Sequence, residues 1–123
     1  IHLYARGSYA LTPMYDVLSA WPIIGNGKYQ LAWRDAKLAM SVSGKNRHYA
    51  LATIMRSHFN STAAKCGWGA DAEDIINELL DEVEPAIATV ENLLPDGFPE
   101  DVATSILTGI SLQARELRNQ PST

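Results

Sequence analysis

The hydrophobic pattern changes once along the chain, near Ile54, and this change limits the possible folds most strongly. Before it, apolar residues form short alternating runs broken by glycine; after it, they recur every three or four residues, the period of an amphipathic helix. The longest apolar stripe comprises Ile75, Ile76, Leu79, Leu80, Val83, Ile87, Val90 and Leu94. With 123 residues, 46% of them hydrophobic, the chain is long enough for one modest core. The sequence therefore predicts a single, mainly α domain over residues 1–123.

Cap and turn residues divide the helical part, residues 53–119, into three helices. Gly67 should end the first helix and Asp71 should cap the second. Pro85 should kink the second helix, and a turn at residues 95–97 leads into the third. The apolar stripe of the third helix comprises Val102, Ile106, Leu107, Ile110 and Leu117. We expect the last two helices to pack as an antiparallel hairpin and residues 120–123 to fray.

The first half of the chain predicts one or two short β-hairpins. Residues 1–22 begin with the runs IHLY and YALT around a central glycine, which is typical of a tight hairpin. Asp16 to Ala20 are expected to form a short helical turn that Pro22 stops. Residues 23–52 should form a mobile or irregular loop, followed by a second hairpin that turns at residues 43–46.

Asp16 is the residue whose chemistry most needs an explanation. It lies among Met14, Tyr15, Val17 and Leu18, and an ionised carboxylate among apolar residues usually has a cation, hydrogen-bond donors or a metal as partner. One interpretation is that Asp16 caps the short turn after it. The other is that a strand end holds it rigidly as an oxygen ligand of the Mg²⁺ that bridges ATP phosphates.

Charge is distributed unevenly along the chain, whose net charge is −4. From Lys28 to Lys65 there are seven Lys or Arg residues and one acid, whereas from Asp71 to Asp101 there are eleven acids and no base. The acidic charges fall between helical core positions, so we interpret them as solvated surface. The basic run either is solvated or faces a polyanion such as nucleotide phosphates or nucleic acid.

Several other features exclude classes of function or have plain structural explanations. The single cysteine, Cys66, excludes an internal disulfide and a cysteine-rich metal site. No apolar run approaches a membrane span of about 18 residues and no export leader is visible, which predicts a soluble, cytoplasmic protein. The chain begins with Ile1 rather than Met, which suggests a piece of a longer protein.

The histidines lack the spacing of a metal ligand set and are expected at the surface or half-buried: His2, His48 and His58. The tryptophans are too scattered for a base-stacking platform, so core or interface packing is expected for Trp21, Trp33 and Trp68.

Four strings together resemble the C-terminal part of the HipA family of bacterial toxin kinases: LTPMYDVLSAWP, KLAMSVSGKN, RSHFNSTA and LLPDGFPEDV. The resemblance extends from Ile1 to about Leu117. It implies the largely helical C-terminal lobe of a kinase-like fold, in a serine/threonine protein kinase of a toxin–antitoxin system that causes drug-tolerant persistence. It also implies a HipB-like antitoxin as partner, a protein substrate such as an aminoacyl-tRNA synthetase, and operator DNA reached indirectly through the antitoxin, with no membrane contact.

The resemblance assigns roles to two residues of this chain. Tyr15 matches the family's nucleotide-contacting tyrosine, and Asp16 matches the acid that holds Mg²⁺ beside ATP, the counterpart of the DFG aspartate. The family's catalytic Asp and second metal-binding Asn lie in an Asp-Gly-x-x-x-Asn motif before the hairpin, and no residue here matches it. No catalytic residue is therefore assigned within this sequence, and we expect the chain alone to be inactive. Residues 21–35 occupy the place of an activation segment and are a candidate for target access.

Three hypotheses follow. The first is a kinase lobe that supplies the Mg²⁺–ATP aspartate and a docking surface for substrate and antitoxin. The second is a non-catalytic helical interaction module that binds an antitoxin or DNA. The third is the scaffold of a kinase that has lost catalysis.

Overall fold

The fold is mainly α, with short β-hairpins before the helices, as the sequence predicts. A computed structural model describes residues 2–14 and 17–123 of the chain. In these residues the order is β1 (His2–Leu3), β2 (Tyr9–Ala10), β3 (Lys37–Ser43), β4 (Arg47–Ala50), α1 (Arg56–Lys65), α2 (Glu73–Leu93) and α3 (Glu100–Asn119). None of the described helices is long and apolar enough to cross a lipid bilayer.

The first predicted hairpin is confirmed. Strands β1 and β2 pair antiparallel, with His2 opposite Ala10 and Leu3 opposite Tyr9. The reversal uses a left-handed backbone at Arg6 and Gly7, with φ values of 65° and 78°. Glycine adopts this conformation without a steric cost, which explains why the central glycine marks the turn.

The helical turn expected at Asp16 to Ala20 is not found in its described part. Residues 17–20 form no helix, and a 3-10 turn begins later, at Trp21–Ile23. Pro22 lies in the first positions of this turn instead of stopping one, because a fixed φ and a missing N–H suit the start of a helical turn. The Trp21 N–H donates to Ser19 Oγ at 3.3 Å.

Residues 24–35 form an irregular segment, as predicted, but hydrogen bonds close it. The Gly25 N–H donates to the Leu31 carbonyl at 3.0 Å, and the Leu31 N–H donates to the Ile23 carbonyl at 2.8 Å. A second 3-10 turn, Trp33–Asp35, then leads into β3. The segment is thus fixed at both of its ends.

The second hairpin is also confirmed, and it packs on α1. Strands β3 and β4 pair antiparallel next to the turn, with Val42 opposite His48 and Ser43 opposite Arg47. The Ser43 N–H donates to Thr62 Oγ1 of α1 at 2.7 Å. The hairpin and the helix therefore form one packed unit.

The three helices begin and end close to their predicted limits. Gly67, with a φ of 74°, follows the end of α1, and Asp71 Oδ1 accepts a hydrogen bond from the Glu73 N–H at the start of α2. Helix α2 continues through Pro85, and α3 begins after the turn at Gly97, where φ is 78°.

Helices α2 and α3 pack antiparallel, as predicted, and the tail beyond them is held. The side chain of Arg118, near the end of α3, donates to the Leu80 carbonyl of α2 at 2.9 Å. The buried apolar residues among those described are few: Ala36, Val42, Ile76 and Leu80. The prediction that residues 120–123 fray is wrong for two of them, because the Gln120 and Ser122 oxygens accept hydrogen bonds from α1 at 2.7 and 2.8 Å.

Candidate functional site

The two residues assigned to nucleotide and metal binding, Tyr15 and Asp16, lie outside the described residues. On either side of them the apolar side chains are highly exposed: Met14 by 92%, Val17 by 78% and Leu18 by 85%. The same holds for Leu11, at 83%. No other described part of the chain covers these side chains, so the flanks of Asp16 form an uncovered apolar surface.

Five residues after Asp16, the chain is fixed to α3 through an indole ring. The rings of Trp21 and Trp33 stack with their centroids 5.4 Å apart and an angle of 11° between their planes. The opposite contact of Trp21 is with Gly109, the buried residue of α3, where a Cβ would overlap the Trp21 ring at Cγ, Cδ2 and Cε2. We call this arrangement of Trp21, Trp33 and Gly109 the indole dock.

A mainly apolar cavity of about 520 Å³ lies beside the indole dock. Both tryptophans line it, together with Leu51 and Ile54 before α1 and with residues of α2 and α3 that include Ile110. The cavity therefore lies where the hairpin half of the chain meets the helical half.

A polar network around Arg56 joins α1 to the other helices. The Arg56 guanidinium donates two hydrogen bonds to Glu73 from Nε at 3.1 Å and one from Nη2 at 2.5 Å, and a further one to Asn77 Oδ1 at 2.7 Å. Asn60 Nδ2 donates to Glu73 Oε1 at 2.6 Å. Hydrogen bonding to Glu73 raises the pKa of Arg56, and hydrogen bonds from Arg56 and then Asn60 lower the pKa of Glu73. The pair is thus held in its ionised form, which is a structural role.

Two histidines that are ten residues apart in the sequence meet between β4 and α1. The rings of His48 and His58 stack with centroids 3.8 Å apart. His58 Nδ1 accepts a hydrogen bond from the Met55 N–H at 3.1 Å, and the His58 N–H donates to the Met55 carbonyl at 2.9 Å. Burial, and then the charge of His48, lower the pKa of His58. Because Nδ1 is an acceptor here, Nε2 carries the proton of the neutral ring and is not a free metal ligand.

The described residues contain no cluster of three or more His, Cys, Asp or Glu side chains that could hold a metal ion. The basic run is only partly available for a polyanion, because Arg56 is buried and Lys65 donates to the Gly44 carbonyl at 2.8 Å. Lys45 and Arg47, at the tip of the second hairpin, are exposed. The acidic run is mostly solvated, as expected; Glu73 pairs with the buried Arg56, and the exposed Asp81 pairs with Arg118.

A comparison with protein families accounts for most of the chain. The model of the HipA-like C-terminal domain matches residues 1–87, which include the segment around Asp16, both hairpins, α1 and most of α2. The chain belongs to the HipA-like C-terminal domain family. In this HipA-like chain the match includes Trp21 and Trp33 of the indole dock, whereas Gly109 follows the matched residues.

The indole dock and the histidine stack were both missed by reasoning from the sequence. One signal was available for the dock, since an isolated glycine within a helical pattern costs about 1 kcal/mol relative to alanine and usually has a packing reason. Gly109 is such a glycine. For the histidines there was no signal, because strand register and helix docking decide which side chains meet. Trp21 and Trp33 pack against each other, as predicted, whereas Trp68 is 70% exposed and is not part of the core.

Proposed function

We propose that this HipA-like chain is the C-terminal part of an ATP-dependent serine/threonine protein kinase, in which Asp16 holds Mg²⁺ and Tyr15 contacts the nucleotide. The observation that carries the proposal is the family match over residues 1–87, because it includes the Pro-x-Tyr-Asp-x-Leu-Ser string on which the resemblance depends. The antiparallel β1–β2 hairpin supports it by its place in the chain, since a short hairpin followed by the metal-binding acid is the order that the resemblance implies.

Binding of Mg²⁺ beside ATP requires a hard oxygen ligand from the protein and not a cluster of several side chains. Mg²⁺ is usually bound by one or two carboxylates together with phosphate oxygens and waters. A single acid from this chain fits that pattern. When bound, the ion would neutralise the charge that develops on the transferred phosphoryl group. This chain would contribute the ligand and its support, and the catalytic base would come from another part of the kinase.

The exposed apolar side chains on both sides of Asp16 in the sequence support a role in which this chain packs against another part of the kinase. Large exposed apolar patches usually mark interaction surfaces. In the proposed kinase the remainder of the catalytic lobe covers Met14, Val17 and Leu18, and the nucleotide lies in the cleft so formed. A HipB-like antitoxin and a protein substrate such as an aminoacyl-tRNA synthetase are the proposed partners, and operator DNA is reached through the antitoxin.

The proposal is tested by Asp16→Asn in the full-length protein. This variant removes the anionic ligand while keeping its size, so Mg²⁺-dependent phosphorylation by radiolabelled ATP should fall at least about 100-fold. Glu91→Gln, which neutralises an exposed acid of α2, serves as the control and should keep wild-type activity. Unchanged phosphorylation by Asp16→Asn, with unchanged helical content, would contradict the assignment.

An alternative function is a non-catalytic helical interaction module that binds an antitoxin or DNA. The exposed Lys45 and Arg47 at the hairpin tip favour the DNA version of this alternative. Two titrations distinguish antitoxin binding from DNA binding: one with a HipB-like protein, and one with duplex DNA at 50 and 200 mM salt as chosen test conditions. Binding to DNA should weaken steeply at the higher salt concentration, because phosphate contacts drive it. Tight binding by a protein that lacks phosphorylation and ATP binding would favour the module.

A further inference from the structure

The segment that follows Asp16 is attached to α3 by shape rather than by hydrogen bonds. Trp21 is half-buried between the Trp33 ring and the backbone of α3 at Gly109. A Cβ on residue 109 would occupy the volume of the Trp21 indole, so that glycine is the residue that fits there. Alanine would otherwise be preferred at this position, by about 1 kcal/mol of helix propensity. Glycine at residue 109 therefore lowers the helix propensity of α3 but lets the Trp21 indole contact the helix backbone.

Trp21, the anchored residue, follows Asp16 closely in the chain. Asp16 and Trp21 are separated by five residues, which span at most about 18 Å when fully extended. On the far side of Trp21, the Ile23 and Ile24 N–H groups donate to the Ala20 carbonyl at 3.0 and 3.1 Å, which fixes the backbone that carries the indole. Trp21 is thus held at a defined point on α3.

We infer that Gly109 is a positioning residue for the metal–nucleotide site, because it admits the Trp21 indole that fixes the Asp16 segment onto α3. This inference rests on the proposed function of Asp16. Gly109 touches neither metal nor nucleotide in this scheme; it acts through Trp21. Misplacing a catalytic group by about 1 Å from a remote position costs on the order of 100-fold in rate, so the dock bears directly on activity.

The test is Gly109→Ala in the full-length protein, with Mg²⁺-dependent phosphorylation followed over a range of Mg²⁺ and ATP concentrations. The added methyl group displaces the Trp21 ring, so kcat/KM should fall about 10- to 100-fold and half-saturation should require more Mg²⁺. Thr104→Ala, at an exposed position of the same helix, is the matched control and should leave the Mg²⁺ profile unchanged. Far-UV circular dichroism measures whether each variant keeps its helices.

A second variant keeps the inference testable should Gly109→Ala fail to fold. Trp21→Ala removes the ring and the Cγ that a Cβ at residue 109 would overlap, without adding bulk to α3, and it should produce the same shift in Mg²⁺ dependence. In the double variant, alanine at residue 109 should add no further loss, because the atoms that it would displace are gone. A purely structural role would lower thermal stability and leave the Mg²⁺ profile unchanged, and that result would overturn the inference.

The failure of this inference differs from the failure of the proposed function. If Asp16→Asn loses activity while both dock variants keep the wild-type Mg²⁺ dependence, only this inference is overturned. Full activity in Asp16→Asn overturns the proposed function, and this inference with it.

Discussion

At the scale of single residues, Arg56 shows how a charge becomes part of the interior. Its side chain is only 8% exposed, and it contacts Glu73, Asn77 and the Leu117 carbonyl. Removing such a group from water is costly unless each donor finds a partner. Arg56 belongs to the basic run and Glu73 to the acidic run, so this pair connects the two oppositely charged parts of the sequence inside the fold.

His58 predicts a pH dependence of stability. Its pKa lies below the ordinary value of 6.5, mainly because of burial and then because of His48. As the pH falls through this range, the unfolded chain takes up a proton that folded His58 resists, so stability is full above about pH 6.5 and decreases below it. A protonated Nδ1 would also lose the hydrogen bond from the Met55 N–H.

The measurement is urea unfolding between pH 7.5 and pH 5, chosen to stay above the ordinary carboxylate pKa of 4.5. His58→Gln should flatten the pH dependence, because glutamine at this helix position accepts the Met55 N–H and does not titrate. His2→Gln, at an exposed histidine, is the control and should keep the wild-type slope. An unchanged slope in His58→Gln would show that the stacked pair does not determine acid sensitivity.

At the scale of elements, the core of α2 depends on one side of the helix. Leu80 is 5% exposed, whereas its neighbour Leu79 is 65% exposed. Leu80→Ala should lower the free energy of unfolding by about 2 to 5 kcal/mol, and Leu79→Ala by less than about 0.5 kcal/mol. Urea denaturation of the two variants checks this difference, and similar losses in both would mean that α2 packs through a different face.

The elements were predictable from sequence because their signals are local. Two short apolar and aromatic runs around a central glycine marked the first hairpin, and the stripe from Ile75 to Leu94 marked α2. The turn at Trp21 was misplaced because Pro22 both stops and starts helical turns, and local sequence does not decide between them. The indole dock depends on residues 21 and 109 meeting, which only the tertiary fold determines. The Tyr15 and Asp16 assignment comes from the family resemblance and stays a prediction.

At the scale of the whole molecule, the chain exposes more surface than its mass requires. Its accessible surface is 9726 Å², whereas a compact monomer of 13.5 kDa exposes about 6,500 Å². Four large apolar side chains near Asp16 in the sequence are at least 78% exposed: Leu11, Met14, Val17 and Leu18. This surface matches the proposed role as one lobe that packs against another.

The isolated chain should therefore self-associate through this surface. Sedimentation velocity should show a sedimentation coefficient that rises with protein concentration. Leu18→Glu should weaken the association at least about tenfold, because burying one leucine contributes about 2 kcal/mol. Tyr29→Glu changes a residue that is 87% exposed but lies in the irregular segment, and it should have little effect. A wild-type chain that stays monomeric throughout would contradict this prediction.

The held tail has a practical consequence for anyone who expresses this domain. A chain trimmed after Asn119 would retain each described helix and strand, yet the Arg56 N–H and the Asn60 amide would lose the oxygens of Gln120 and Ser122. A chain boundary placed at the last helical residue would then remove two hydrogen bonds that hold α1. Recombinant versions should extend past Ser122 for that helix to keep its closing partners.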